Sequence, residues 1–221
     1  TVSEGSVPDL TIVFVHGFSL RLSSWHFQRE QLADEWHDRN YRLVFFDHRG
    51  HGESDPAPTE TCTIAQLADD AAGLIEALGL RDVVFVGLSI GGLIGQSLAA
   101  RRPELLRGLV ISNSAAKIGE AAMWQDRIAA IRRGGIAAIA APTMERWFSP
   151  AFRATPELAA WQAMLERQPV EDATGLLGVD AIGVDVAGGA QGPGDGLAGD
   201  LDADARSHRI HQFAVEAQRL A

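Results

Sequence analysis

Residues 83–100 form a run of eighteen positions without a charged side chain, and this run constrains the middle of the chain more than any other feature. About 18 such residues can suggest a membrane span. This run holds Gly87, Ser89, Gly91, Gly92, Gly95, Gln96 and Ser97, so it reads instead as a buried strand, a tight turn and a helix. The strand is "DVVFV" (82–86), the turn is Gly87-Leu88-Ser89-Ile90-Gly91, and the helix runs over 90–102 and ends before Pro103. The turn needs small neighbours, because ordinary side chains at 87 and 91 would collide with strand and helix.

The preceding residues alternate in the same way. "TIVFV" (11–15) and "YRLVFFD" (41–47) read as strands buried on both faces. Residues 23–38 read as a helix capped by Ser23 or Ser24. Residues 63–79 form the clearest helix, with Thr63 as cap, Gly79 as stop, and Ile64, Leu67, Ala71, Leu74, Ile75 and Leu78 on one face. "LLRGLVIS" (105–112) is the fourth strand. Strands alternating with helices imply an α/β fold, a doubly wound and mostly parallel sheet. Residues 115–168 break the alternation and read as a helical cap over the C-terminal edge of the sheet, where such folds bind ligands. The expected organisation is therefore a first core part at 1–114, a helical cap at 115–168, a glycine-rich irregular segment at 169–198 and a remnant of the core at 199–221.

A strand, then Gly-x-Ser-x-Gly, then a helix, is the arrangement that exposes a nucleophilic serine at a strand tip. Ser89 is the candidate nucleophile. The helix behind it offers the backbone N–H of Ile90 to a developing oxyanion. The loop "HGF" (16–18) offers a second donor, the N–H of Phe18. Trp147 and Trp124 are candidates for lining a small-ligand pocket under the cap. Arg127, Arg132, Arg133 and Arg146 are candidate cations beside such a pocket.

The stretches "VFVHGFSLRLSSWHFQ", "FFDHRGHGESD" and "VGLSIGGLIGQSLAARRPELLRGLVISNSAAKIG" resemble the α/β-hydrolase family. Within it, "GLSIGGLIGQ", "SNSAAKIG", "MWQDRIAAIR" and "ERWFSPAFR" are similar to the 3-oxoadipate enol-lactonases. The resemblance covers about 11 to about 171. It implies hydrolysis of a small, carboxylate-bearing enol-lactone in aromatic-compound degradation. Ser89 would attack the carbonyl and form an acyl-enzyme that water then hydrolyses. It implies no cofactor and no metal, and acid and base residues that follow the serine in chain order. A broader carboxylesterase or a perhydrolase of the same fold is the alternative within the class.

Beyond residue 168 the composition changes. No Lys or Arg occurs from 168 to 205, no aromatic residue from 162 to 212, and nine glycines fall between 175 and 200. Such a stretch is a poor strand and a poor helix, and it reads either as a flexible linker or as a sequence altered by a shifted reading frame. "LAGDLD" (197–202) is similar to the end of the family's penultimate strand, which implies Asp202 as the triad acid. Residues 207–221 then read as the helix after that strand, and the family's last strand is expected to be missing. With it would go the base histidine. His208 and His211 follow Asp202 in order but are expected at the start of a helix, so they are weak substitutes. His48 and His51, in "DHRGHG", are expected to shape the floor of the site. The second class of function is therefore a truncated, catalytically impaired protein that binds a small ligand.

Charge narrows the partners. With 19 basic and 29 acidic residues the formal net charge is −10, unfavourable for nucleic acid or an anionic membrane surface. The expected partner is a small ester or lactone, with no nucleic acid and no membrane; the oligomeric state is left open. Cys62 is the only cysteine, which precludes an intrachain disulfide and fits a cytoplasmic location. "GDGLAG" (194–199) lacks the strand a dinucleotide fingerprint requires. The Asp200-x-Asp202-x-Asp204 series lacks the glycine and closing glutamate of a calcium loop.

Overall fold

A computed structural model describes residues 8–55, 62–177 and the short strand at 210–212. Five strands form one parallel sheet in the order β2-β1-β3-β4-β5: β1 (Leu10–Val15), β2 (Tyr41–Phe46), β3 (Val83–Leu88), β4 (Leu106–Ser112) and β5 (Ile210–Gln212). Three helices connect the first four strands: α1 (His26–Glu35), α2 (Ile64–Ala77) and α3 (Ile90–Arg101). Five more follow β4: α4 (Ala121–Gly134), α5 (Ala137–Trp147), α6 (Pro150–Arg153), α7 (Leu158–Glu166) and α8 (Val170–Leu177).

Burial of both faces explains why β1 and β3 are apolar apart from Thr11. Ile12 and Phe14 face one side, where Trp25 and the partly buried Leu32 and Trp36 cover them. There Phe14 stacks on Phe45 at 4.8 Å and tilts against Trp25 at 5.1 Å. Val13, Val15, Val83 and Phe85 face the other side and join the large core with Leu67, Ile75, Leu93 and Leu98 from α2 and α3. Burying a side chain such as Phe85 completely is worth roughly 1.5–3 kcal/mol, so both faces hold the strand in place.

The helix after β2 is capped as expected: Thr63 accepts from the Gln66 amide, and the Gln66 side chain accepts from the Thr63 amide. Its last turn differs. The helix ends at Ala77, Leu78 is 48% exposed, and Leu80 turns into the core instead. Ser23 and Ser24 do not cap α1; they lie in a 3-10 turn over Leu22–Trp25 that precedes it.

Two corrections concern the end of the chain. Residues 170–177, expected to be irregular, form α8, with Ala173 fully buried. An apolar face packed against α4 holds a helix that composition alone disfavours. Residues 210–212, expected in a helix over 207–221, form β5, with Leu109 opposite Ile210 and Ile111 opposite Gln212. The open edge of β4 must satisfy its backbone groups, and that pairing overrides a helical pattern.

Candidate active site

Ser89 sits at the junction of β3 and α3 with φ 55° and ψ −115°, a conformation L-residues rarely adopt. Its amide donates to the carbonyl of Ser112 at 2.9 Å, and its carbonyl accepts from Gly92 at 2.9 Å. The two flanking glycines are required by close approach. A Cβ at Gly87 would fall on the carbonyl of Gly91 and 2.6 Å from the amide of Gly92. A Cβ at Gly91 would fall on the carbonyl of Val15 and 2.9 Å from that of His16. The turn therefore lies directly on the end of β1, and a Cβ at Gly17 would stand 3.3 Å from Cβ of Ser89.

Phe18 lies in the loop after β1, and Ile90 is the first residue of α3. Among the described residues, no acceptor takes the amide of either. An amide in the first turn of a helix has no intrahelical partner, and the helix dipole favours negative charge there. Two unused donors beside a strained serine can stabilise an oxyanion on a carbonyl attacked by Ser89.

The loop over residues 16–22 is held from below by the loop after β2. Asp47 Oδ1 accepts from the amide of Leu22 at 2.6 Å and lies 3.3 Å from Nε2 of His16. Burial pushes the Asp47 carboxyl up, but the nearby His16 ring and the hydrogen bonds from the Leu22 and Glu53 amides outweigh it and leave the group below its ordinary range. His16, His48 and His51 are almost completely buried and packed ring against ring, with centroids 4.1–5.3 Å apart. Burial, then repulsion from neighbouring imidazoles, holds His48 and His51 well below the ordinary imidazole range, so both are neutral at pH 7. Gln168, between α7 and α8, reaches His51 at 2.9 Å. Among the described residues no cluster of His, Cys, Asp or Glu is arranged to hold a metal ion.

The helices after β4 bring Trp124 and Arg127 over this loop. The Trp124 ring meets Phe18 edge-on at 6.5 Å, and its Nε1 donates to the carbonyl of Ile118 at 2.7 Å. The Arg127 guanidinium stands 5.4 Å from the Phe18 ring and 5.9 Å from the Trp124 ring. Its polar contact is with Oγ1 of Thr143 at 3.3 Å, and no carboxylate among the described residues pairs with it. Burial, and repulsion from Arg146, lower its pKa to about 10, so it stays charged at neutral pH. Arg132, Arg133 and Arg146 are exposed. Trp147 packs edge-on against Phe148, which stacks on Phe152 and tilts against Trp161.

No hydrogen bond joins the Ser89 hydroxyl to a described side chain. Asp202 and His208 lie outside the described residues; of His211, only its place in β5 is described. Asp202 precedes β5 in the chain. Sequence reasoning overlooked Gln168 and Asp47. Asp47 stood in the noted "DHRGHG" loop, whereas Gln168 meets His51 across 117 positions and carries no local signal.

A family model described as "alpha/beta hydrolase fold" matches residues 11–132. The chain is 37% identical over 141 residues to 3-oxoadipate enol-lactonase 2 of Acinetobacter baylyi, a match covering 64% of this chain and 51% of that protein. Among solved structures it is similar to the enol-lactonase from Burkholderia xenovorans LB400, with TM-score 0.72 and 30% identity over 82% of this chain and 68% of the other. It is also similar to a thermophilic esterase from Thermogutta terrifontis, with TM-score 0.68 and 31% identity over 78% and 63%. The chain spans about half the length of the curated relatives it matches. No helix among the described residues is long and apolar enough to cross a membrane.

Proposed function

The chain belongs to the alpha/beta hydrolase fold family, and from that premise we propose that it carries the nucleophile of a serine hydrolase for a small, carboxylate-bearing ester or lactone. The substrate class most like it is 3-oxoadipate enol-lactone. The observation that supports this reading is the strained Ser89 beside the unused amides of Phe18 and Ile90. In the proposed reaction Ser89 Oγ attacks the lactone carbonyl, and the two amides take the negative oxygen. The ring C–O bond then breaks to leave an acyl-enzyme, which water hydrolyses. Asp202 is the proposed acid; the base is not assigned among the described side chains, and His208 and His211 are the substitutes that follow the acid in chain order. Residues 115–168 are proposed as the cap, and Trp124 and Trp147 as apolar walls of the pocket.

Arg127 favours a carboxylated substrate over a neutral ester. A half-buried guanidinium without a carboxylate partner among the described residues leaves a site for one supplied by the substrate, and a hydrogen bond to a charged group is worth about 1.5–3 kcal/mol. Arg127→Met is expected to raise KM for the enol-lactone at least tenfold, while a neutral p-nitrophenyl ester changes less than about threefold. An equal loss on both substrates would refute the assignment. A second reading, binding without turnover, is favoured by the absence of a described partner for the Ser89 hydroxyl. A fluorophosphonate decides between them. One covalent adduct on the parent and none on Ser89→Ala supports the hydrolase; a folded parent that stays unlabelled supports the binding protein.

A further inference from the structure

The loop that presents Phe18 includes a residue in a costly conformation. Ser19 has φ 60°, in the left-handed region that disfavours a side chain, inside a turn closed by the Leu20 amide on the Gly17 carbonyl at 3.2 Å. The next polar contact of this turn is with the loop after β2. The amide of Ser19 donates to Nε2 of His51 at 3.0 Å, and both residues are buried.

That contact fixes the proton on the ring. A backbone amide can only donate, so Nε2 of His51 must be the unprotonated nitrogen and Nδ1 must carry the hydrogen. Nδ1 faces the carbonyl of Arg49 at 3.5 Å, the acceptor this tautomer requires. Gln168 is 2.9 Å from the same Nε2. Since Nε2 is an acceptor, Gln168 must turn its NH2 group toward it, and the second hydrogen of that group lies toward the carbonyl of Gly50 at 3.5 Å. The opposite orientation would set a carbonyl oxygen against a lone pair. Two donors from distant parts of the chain thus converge on one nitrogen, and both demand the same neutral tautomer. Burial, which disfavours the imidazolium, acts in the same direction.

We infer that His51 is the positioning residue of the oxyanion loop, holding Ser19 through Nε2 in the tautomer that the Ser19 amide demands, and that the Gln168 amide group, from the junction of α7 and α8, is compatible with that tautomer alone. The inference rests on the proposed role of Phe18 as oxyanion donor only for its catalytic meaning. The link between Gln168, His51 and Ser19 stands without it.

Amide hydrogen exchange resolved at Ser19, on the full chain without substrate, tests the link whether or not the protein turns over. His51→Leu is expected to speed exchange at the Ser19 amide about tenfold, the scale of one lost buried hydrogen bond, while the amides of β1 and β3 keep their protection. His51→Gln, whose Oε1 can accept near the position of Nε2, is expected to restore most of it. Gln168→Leu removes a donor without reversing the polarity and is expected to leave Ser19 protected. Gln168→Glu sets a carboxylate against Nε2, recruits a proton there and is expected to release Ser19 as His51→Leu does. A Ser19 amide unaffected by His51→Leu would overturn the inference, as would a His51→Gln variant no better than Leu or equal effects of Leu and Glu at 168. If the parent hydrolyses its substrate, His51→Leu lowers kcat about tenfold with KM within about twofold. Changes confined to KM would remove the catalytic meaning and leave the link.

Discussion

Replacing Ser89 by glycine is expected to stabilise the fold while destroying its proposed chemistry. Ser89 holds φ 55° and ψ −115°, outside even the small left-handed basin open to L-residues. A residue in such a region costs about 1–3 kcal/mol. Glycine has no such cost but gives back about 0.4–1 kcal/mol by loosening the unfolded chain. The net expectation is about 1 kcal/mol of added stability, or about 2–4 °C in Tm for a chain of this size. Ser89→Ala is the control, because it removes the hydroxyl and keeps the Cβ responsible for the strain. Its Tm is expected to match the parent within about 1 °C. Calorimetry on the three proteins, with fluorophosphonate labelling alongside, gives the comparison. Both variants should fail to label. A glycine variant that melts below the alanine variant would show that no strain is stored at position 89.

Gly91→Ala should be strongly destabilising, by about 3 kcal/mol or more, because its methyl group would meet the backbone carbonyls of Val15 and His16, which cannot move independently of β1; urea denaturation reads this directly. Stability should also fall early on acidification. His48 and His51 are neutral when folded and accept protons more readily when unfolded, so stability is complete above about pH 6.5 and declines below it. A melting series between about pH 8 and 5 should show the decline, and His48→Asn should flatten it. At lower pH, Asp47 adds a second decline: its carboxyl is held below the usual range, so its contribution is present above about pH 4 and lost as the pH drops further, and Asp47→Asn should remove that component.

The parts of this protein that were legible beforehand are those whose cause is local. β1 to β4 lie within two residues of the stretches expected for them, because strands covered on both faces are apolar along most of their length. Thr63 announced its helix because a capping box is complete within four residues. Ser89, Phe18 and Ile90 could be named as candidates because the turn that the motif specifies fixes where each one stands. What depended on distant contacts was hidden. Nothing in α4 distinguishes Arg127 from Arg132 or Arg133 until it is known which helical face meets Phe18. Gln168 gains its role only when His51 arrives beneath it. β5 exists because β4 has an edge to pair, which no property of residues 210–212 reveals.

The position of β5 also bears on the order in which the sheet can form. Strands β3 and β4 are joined by 17 residues, 89–105, whereas β4 and β5 are separated by 97 residues, 113–209. Closing the longer loop costs about 1.5 kcal/mol more in chain entropy. The pairing of β1 to β4 through short crossovers should therefore come first, and β5 should dock late. Until it does, the backbone edge of β4 is open to any strand that reaches it, which makes the newly synthesised chain most vulnerable to aggregation during that interval.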